Sequence, residues 1–199
     1  MLHPTDPELL LIGYARGLIV LWNTSGSGTA VKTFVANQQL EGLSWRGDKG
    51  EFVSIHNDGS YILWSQVRQT PFHSLHDLVH RDLLLCIPQD SSECIEPPNN
   101  PYGPYPCKAF TKVVAFKAKD EENEDEDINW MLFTGGMARA SYGDKHTVTL
   151  MKGDEKHTVF DLTSKVQDFT VITRDNGTPQ SLLILCEEEL VAVDLTDDK

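Results

Sequence analysis

A chain of 199 residues with 40% hydrophobic residues has apolar material for one core, or a share of a larger one, which excludes global disorder. Its 17 Lys and Arg stand against 30 Asp and Glu, and the net charge of -13 opposes a phosphate backbone, so nucleic acid and anionic membranes are excluded as partners. Apolar runs such as Leu18–Trp22 and Leu182–Cys186 fall far short of the ~20 residues a membrane span needs, so no transmembrane segment is expected.

The start, Met1 to Pro7, lacks the basic and apolar regions of a secretory signal, which predicts a cytoplasmic protein. Cys86, Cys94, Cys107 and Cys186 include no Cys-x-x-Cys pair and are expected to be reduced structural thiols.

The first elements repeat. Ile12 to Asn23 aligns with Ser54 to Ser65, so that Gly17 matches Gly59 and Trp22 matches Trp64, both at an offset of 42 residues. That period lies within the ~40–45 residues of a WD-type propeller blade. Each copy is two β-rich runs joined by a Gly-containing turn, and Asn57-Asp58-Gly59 is a hairpin signal. Asn23 and Ser65 follow the Trp residues where WD repeats usually carry Asp. Both Trp residues are expected to pack between blades.

In chain order the next strands are Leu40–Trp45, Glu51–His56 and Ser60–Ser65. The rhythm then fails between Gln66 and Cys107. Phe72, Leu75, Leu78, Val79, Leu83 and Leu85 fall largely at helical spacing and predict a short amphipathic helix, after which the Pro97-Pro98-Asn99-Asn100-Pro101 cluster forces loop. His73, His76 and His80 share a helix face near Cys86, but no ligand motif accompanies them; they read as a solvated face, with no metal expected.

A complete blade follows, with strands Phe110–Phe116, Trp130–Thr134, His146–Met151 and Lys156–Asp161. Seven acids in the eight residues from Asp120 to Asp127 predict a solvated hairpin loop, with a docking patch for a basic partner as the alternative. The loop Gly135–Lys145 combines three Gly with Met137, Arg139 and Tyr142, residue types that recognition surfaces favour, and these three are the candidate protein-binding residues. A structural lid over the adjacent blade is the competing reading of that loop. A last partial blade holds Val166–Ile172, Ser181–Cys186 and Leu190–Leu195.

The fold class is therefore all-β: an incomplete propeller of antiparallel strands with parts of about four blades. Residues 1–65 form two partial blades, 66–109 an insertion, and 110–199 one complete and one partial blade. Such an array leaves open edges at both ends, and the chain is expected to be part of a larger polypeptide or of a truncated gene.

Catalysis needs a nucleophile beside a base, paired carboxylates or a metal triad. Neither Gly-x-Ser-x-Gly, nor a phosphate loop, nor His-Glu-x-x-His occurs, and Ser141 to Asp144 with His146 are sequence neighbours that rarely reach triad geometry. No catalytic residue and no cofactor is assigned.

Several separate stretches resemble one family. Leu11-Ile12-Gly13-Tyr14 with Arg16-Gly17-Leu18, Asn37 to Glu41, Tyr102 to Ala109, Gly135-Gly136-Met137 with Arg139 to Asp144, and Glu187 to Leu190 with Val193-Asp194-Leu195 are similar, in order, to the lethal giant larvae proteins. The tomosyns are the sister family, and the Arg139 to Asp144 run fits the lethal giant larvae branch better. Ala138 stands where the family pattern has Pro, and Val67–Asn100 has no counterpart in it.

The resemblance implies two large propellers in family members, with this chain corresponding to later blades of the first. It also implies a non-catalytic scaffold, cytosolic and at the cell cortex, in cell polarity and regulated exocytosis. The partners it implies are syntaxin-type SNAREs, the Par complex with atypical protein kinase C, nonmuscle myosin II and Rab-type GTPases.

Overall fold

The computed structural model describes residues 1–66, 93–94, 97–119, 127–140, 145–153, 156–174 and 177–196. The expected helix with its His73, His76, His80 and Cys86, most of the acidic run, and Ser141 to Asp144 lie outside the described residues.

All regular elements among the described residues are strands, grouped in four antiparallel sheets. The first holds β1 (Leu9–Gly13), β2 (Leu18–Asn23) and β3 (Thr29–Val35). The second holds β4 (Leu40–Trp45), β5 (Glu51–His56), β6 (Tyr61–Ser65) and β7 (Glu93–Cys94). The third holds β8 (Phe110–Lys119), β9 (Asp127–Gly135), β10 (His146–Lys152) and β11 (Lys156–Leu162). The fourth holds β12 (Val166–Thr173), β13 (Pro179–Cys186) and β14 (Leu190–Asp194). Strands follow sequence order in every sheet, as blades do; β3 is not among the expected strands, and β7 comes from the 66–109 segment that the sequence reading sets apart as an insertion. β7 supplies the second blade with a fourth strand by pairing Cys94 with Trp64.

Alternation along each strand gives every sheet two apolar faces, and the blades stack through them. Leu11, Ile19, Leu21 and Phe34 of the first blade pack on Trp45, Phe52, Ile62 and Trp64 of the second. Val53, Ile55 and Leu63 on the other face of the second blade meet Val113, Met131, Phe133 and Met151 of the third. Trp130, Leu132, Val148 and Leu150 then meet Phe169, Leu182 and Ile184 of the fourth. Polar ties join the first strands of successive blades. The Ala115 amide donates to Ser44 Oγ at 2.9 Å, and Lys112 pairs with Asp168 and donates to the Phe169 carbonyl at 2.8 Å.

The 42-residue repeat is visible in the hydrogen bonds. The turn after β1 has Tyr14 N donating to Leu18 O and Gly17 N to Tyr14 O; the turn after β5 has His56 N donating to Ser60 O and Gly59 N to His56 O. Both glycines lie at positive φ, 87° and 78°, where a side chain is strained. Trp22 and Trp64 occupy matching ladder positions, Leu10↔Trp22↔Ala30 and Phe52↔Trp64↔Cys94.

One buried polar chain runs through the second blade. Trp64 Nε1 donates to Ser54 Oγ at 2.8 Å, and that oxygen lies 2.9 Å from Nε2 of the fully buried His56. Burial pushes the His56 pKa below its ordinary value, opposed in part by the Asp58 carboxylate. The folded chain therefore holds His56 neutral, while the unfolded chain takes up a proton below about pH 6.5. Stability is accordingly full above that value and falls as pH drops below it, by about 1 kcal/mol between pH 7.5 and 5.5. Urea unfolding at the two pH values checks this, and His56→Gln should flatten the difference.

Candidate protein-interaction face

The turns after β1 and β5, the 36–39 link and the loop after β9 leave their strands at one end of the array, because antiparallel neighbours alternate direction. Residues 97–109 cross this end as a strap. Its start is fixed to the second blade, where Asn99 and Tyr61 exchange two backbone hydrogen bonds of 2.9 Å. Its middle is fixed to the third. Tyr102 hydrogen-bonds Thr149 through its hydroxyl and packs edge-on against Phe133, with ring centres 6.2 Å apart.

The far end of the strap pairs with the loop after β9. Lys108 N donates to Met137 O at 2.7 Å, Arg139 N to Pro106 O at 2.9 Å, and Arg139 Nε to Cys107 O at 2.9 Å. Cys107 is buried, and its thiol donates to Tyr105 O at 3.2 Å. Gly59 explains how close the second-blade turn comes: a Cβ there would sit 2.5 Å from Cys107 Cβ and 2.8 Å from Lys108 O. Burial pushes the Cys107 thiol pKa up, with Asp58 adding to the rise and Arg139 opposing it. It stays a neutral, inert wedge. Burial likewise raises the Tyr102 hydroxyl, against the lowering effect of its Thr149 hydrogen bond.

What this scaffold presents outward is Pro104, Tyr105 and Pro106 from the strap and Arg139 and Ala140 from the loop, all exposed. Tyr105 is 66% accessible. Of the three candidate residues, Met137 is half-buried, Arg139 is exposed but anchored through Nε, and Tyr142 lies outside the described residues. Tyr105 is not among the candidates of the sequence, where it is one residue of the Tyr102 to Ala109 stretch with no signal of its own. The arrangement is a rigid backbone carrying an aromatic ring, two prolines and a cation, a composition suited to protein contact.

Among the described residues no group of three or more His, Cys, Asp or Glu could hold a metal ion. His146 pairs across the ladder with Leu162 and His157 with Met151, one half-buried and one exposed. No helix among the described residues is long and apolar enough to cross a membrane.

Comparison with known proteins gives consistent matches. A family model described as LLGL2 matches residues 98–199. The human LLGL scribble cell polarity complex component 2 is 38% identical over 200 residues, covering 97% of this chain and 17% of that protein. Human Lethal(2) giant larvae protein homolog 1 is 39% identical over 198 residues, 97% of this chain and 16% of its own length. The Drosophila melanogaster Lethal(2) giant larvae protein is 35% identical over 201 residues, 98% of this chain and 14% of its own. The chain thus spans about a sixth of the length of these relatives. Among solved structures, U3-55K, a WD-like propeller protein, superposes with a TM-score of 0.58 over 97% of this chain and 45% of that one. At 14% identity that likeness speaks for the fold alone.

Proposed function

The chain belongs to the lethal giant larvae family, and from that premise we propose that it forms part of a non-catalytic cell-polarity scaffold whose docking surface is the strap and the loop after β9. The observation that carries this reading is the exposure of Tyr105 and Arg139 on backbone already fixed by Cys107, Pro106 and Met137. A surface ordered before binding loses less conformational entropy when a partner arrives. Relatives named as components of a scribble cell polarity complex support a partner that is a protein.

The partners proposed are syntaxin-type SNAREs, the Par complex with atypical protein kinase C, nonmuscle myosin II and a Rab-type GTPase, met in the cytoplasm and at the cell cortex in polarity and regulated exocytosis. Met137, Arg139 and Tyr142, joined by Tyr105, are the proposed contact residues.

Hydrogen exchange of the longest available form of the protein, with and without each partner, tests the reading. At least one partner should slow exchange in residues 99–109 and 136–145 by about tenfold or more, the equivalent of ~1.4 kcal/mol. Unchanged exchange there with every partner, while binding is independently observed, overturns it.

A further inference from the structure

Arg139 is tied to the strap by one side-chain nitrogen and open at the other two. Its Nε donates to Cys107 O at 2.9 Å and its amide to Pro106 O at 2.9 Å, so the backbone and the guanidinium plane are fixed by the same short segment. A guanidinium carries five N–H donors, and with Nε engaged the four on the two Nη atoms remain, at a residue that is exposed.

No carboxylate among the described residues pairs with that fork. Several cations of this acidic chain are neutralised by its own acids: Arg46 and Lys117 by Glu51, Lys112 by Asp168, Lys119 by Asp127 and Lys145 by Asp161. Arg139 is not one of them. The carboxylate of Asp58, in the turn beneath the strap, is held by Ser60, whose amide and hydroxyl donate to its Oδ1 at 3.0 and 2.6 Å. The acidic run is distant. Lys119 and Asp127, which flank it, lie at the far end of β8 and β9, and the 10 residues of β8 at ~3.3 Å each set them about 30 Å from the strap. At about 0.15 M salt charges are screened beyond ~8 Å, so the net charge of -13 does not forbid an acidic group at this end.

We infer that Arg139 receives an acidic side chain, Asp or Glu, from a segment of the partner protein, and that Tyr105 takes the apolar residue beside it. The inference rests on the docking surface proposed above and adds the chemistry of what docks there. A carboxylate offers two coplanar oxygens that match two parallel N–H donors, and a fork whose plane is already set loses little freedom on receiving them. Tyr105 precedes Pro106, whose carbonyl holds the Arg139 amide, and it is 66% accessible. A stiff ring beside a fixed cation suits an acidic residue with an apolar neighbour. Lys108, from the same strap, adds positive charge.

A double-mutant cycle in the longest available form of the protein tests this, with the syntaxin-type, Par-complex, myosin II and Rab-type partners, each with and without phosphatase treatment. Within the partner segment whose own amide exchange slows in the complex, acids are replaced singly, Asp by Asn and Glu by Gln. Each replacement is titrated against the native protein and against Arg139→Gln. One of them should weaken binding to the native protein about tenfold and leave binding to Arg139→Gln unchanged, because two groups that form one contact are not additive. Thermal melting checks that Arg139→Gln folds; Arg139→Lys, which keeps the charge and loses the fork, replaces it if not, with a coupling of about threefold. Exchange that slows at 99–109 while no acid couples to Arg139 overturns this inference and leaves the docking surface standing, as does coupling that vanishes on phosphatase treatment, which would assign the anion to a phosphate. Partners that bind without slowing exchange at 99–109 or 136–145 overturn both.

Discussion

Phe52→Ala should destabilise the fold by about 3–5 kcal/mol, a large part of the ~5–15 kcal/mol that holds a typical domain together. Phe52 is 1% accessible and sits where two blades and three aromatic neighbours meet. Its ring centre lies 4.9 Å from that of Phe34 and 5.5 Å from that of Trp45, both edge-on, and 6.2 Å from that of Trp64 in a stacked arrangement. Removing it deletes the apolar contact and leaves a cavity that cannot easily close, because the surrounding rings belong to different sheets and are held by separate ladders. Denaturant unfolding followed by Trp fluorescence measures the loss. A change below about 1 kcal/mol would mean that the first two blades do not share one core.

Much of this architecture was legible in the chain. Leu40–Trp45 and Glu51–His56 are strands with the bounds the apolar pattern indicates, and the turns at Gly17 and Gly59 follow from residues that need positive φ. These features are local, and local sequence determines them. β7 is two residues long, so no period could reveal it; it exists because Cys94 and Glu93 find β6 across the sheet. The two Trp residues illustrate the same boundary. The repeat equates their ladder positions, yet Trp64 is 3% accessible and Trp22 only half-buried. Their difference lies in what stacks on each, a property of neighbouring blades.

The interaction face was less legible than the fold. Met137 and Arg139 stand out by residue type, but their backbone partners, Lys108 and Pro106, are some thirty residues away in sequence, and so is Cys107, which receives the Arg139 side chain. Tyr105 lies between Pro104 and Pro106, where nothing in residue type or spacing marks it as exposed. Its exposure depends on the burial of Cys107 beside it and on the Gly59 turn beneath, contacts that no local pattern encodes.

The most direct test of the docking surface measures affinity and stability together, in the longest available form of the protein, for Tyr105→Ala, Arg139→Ala and the pair. Tyr105 is exposed, so its removal should leave the melting temperature within a degree or two, whereas Arg139→Ala gives up one hydrogen bond to Cys107 O and should cost about 1 kcal/mol. If the strap and loop dock a partner, the pair should weaken binding of at least one proposed partner about thirtyfold or more, since exposed aromatic and Arg anchors dominate such contacts at ~2 kcal/mol or above. If they only brace the second and third blades, the pair will lower the melting temperature while every partner binds the folded protein with unchanged affinity, and that result contradicts the account.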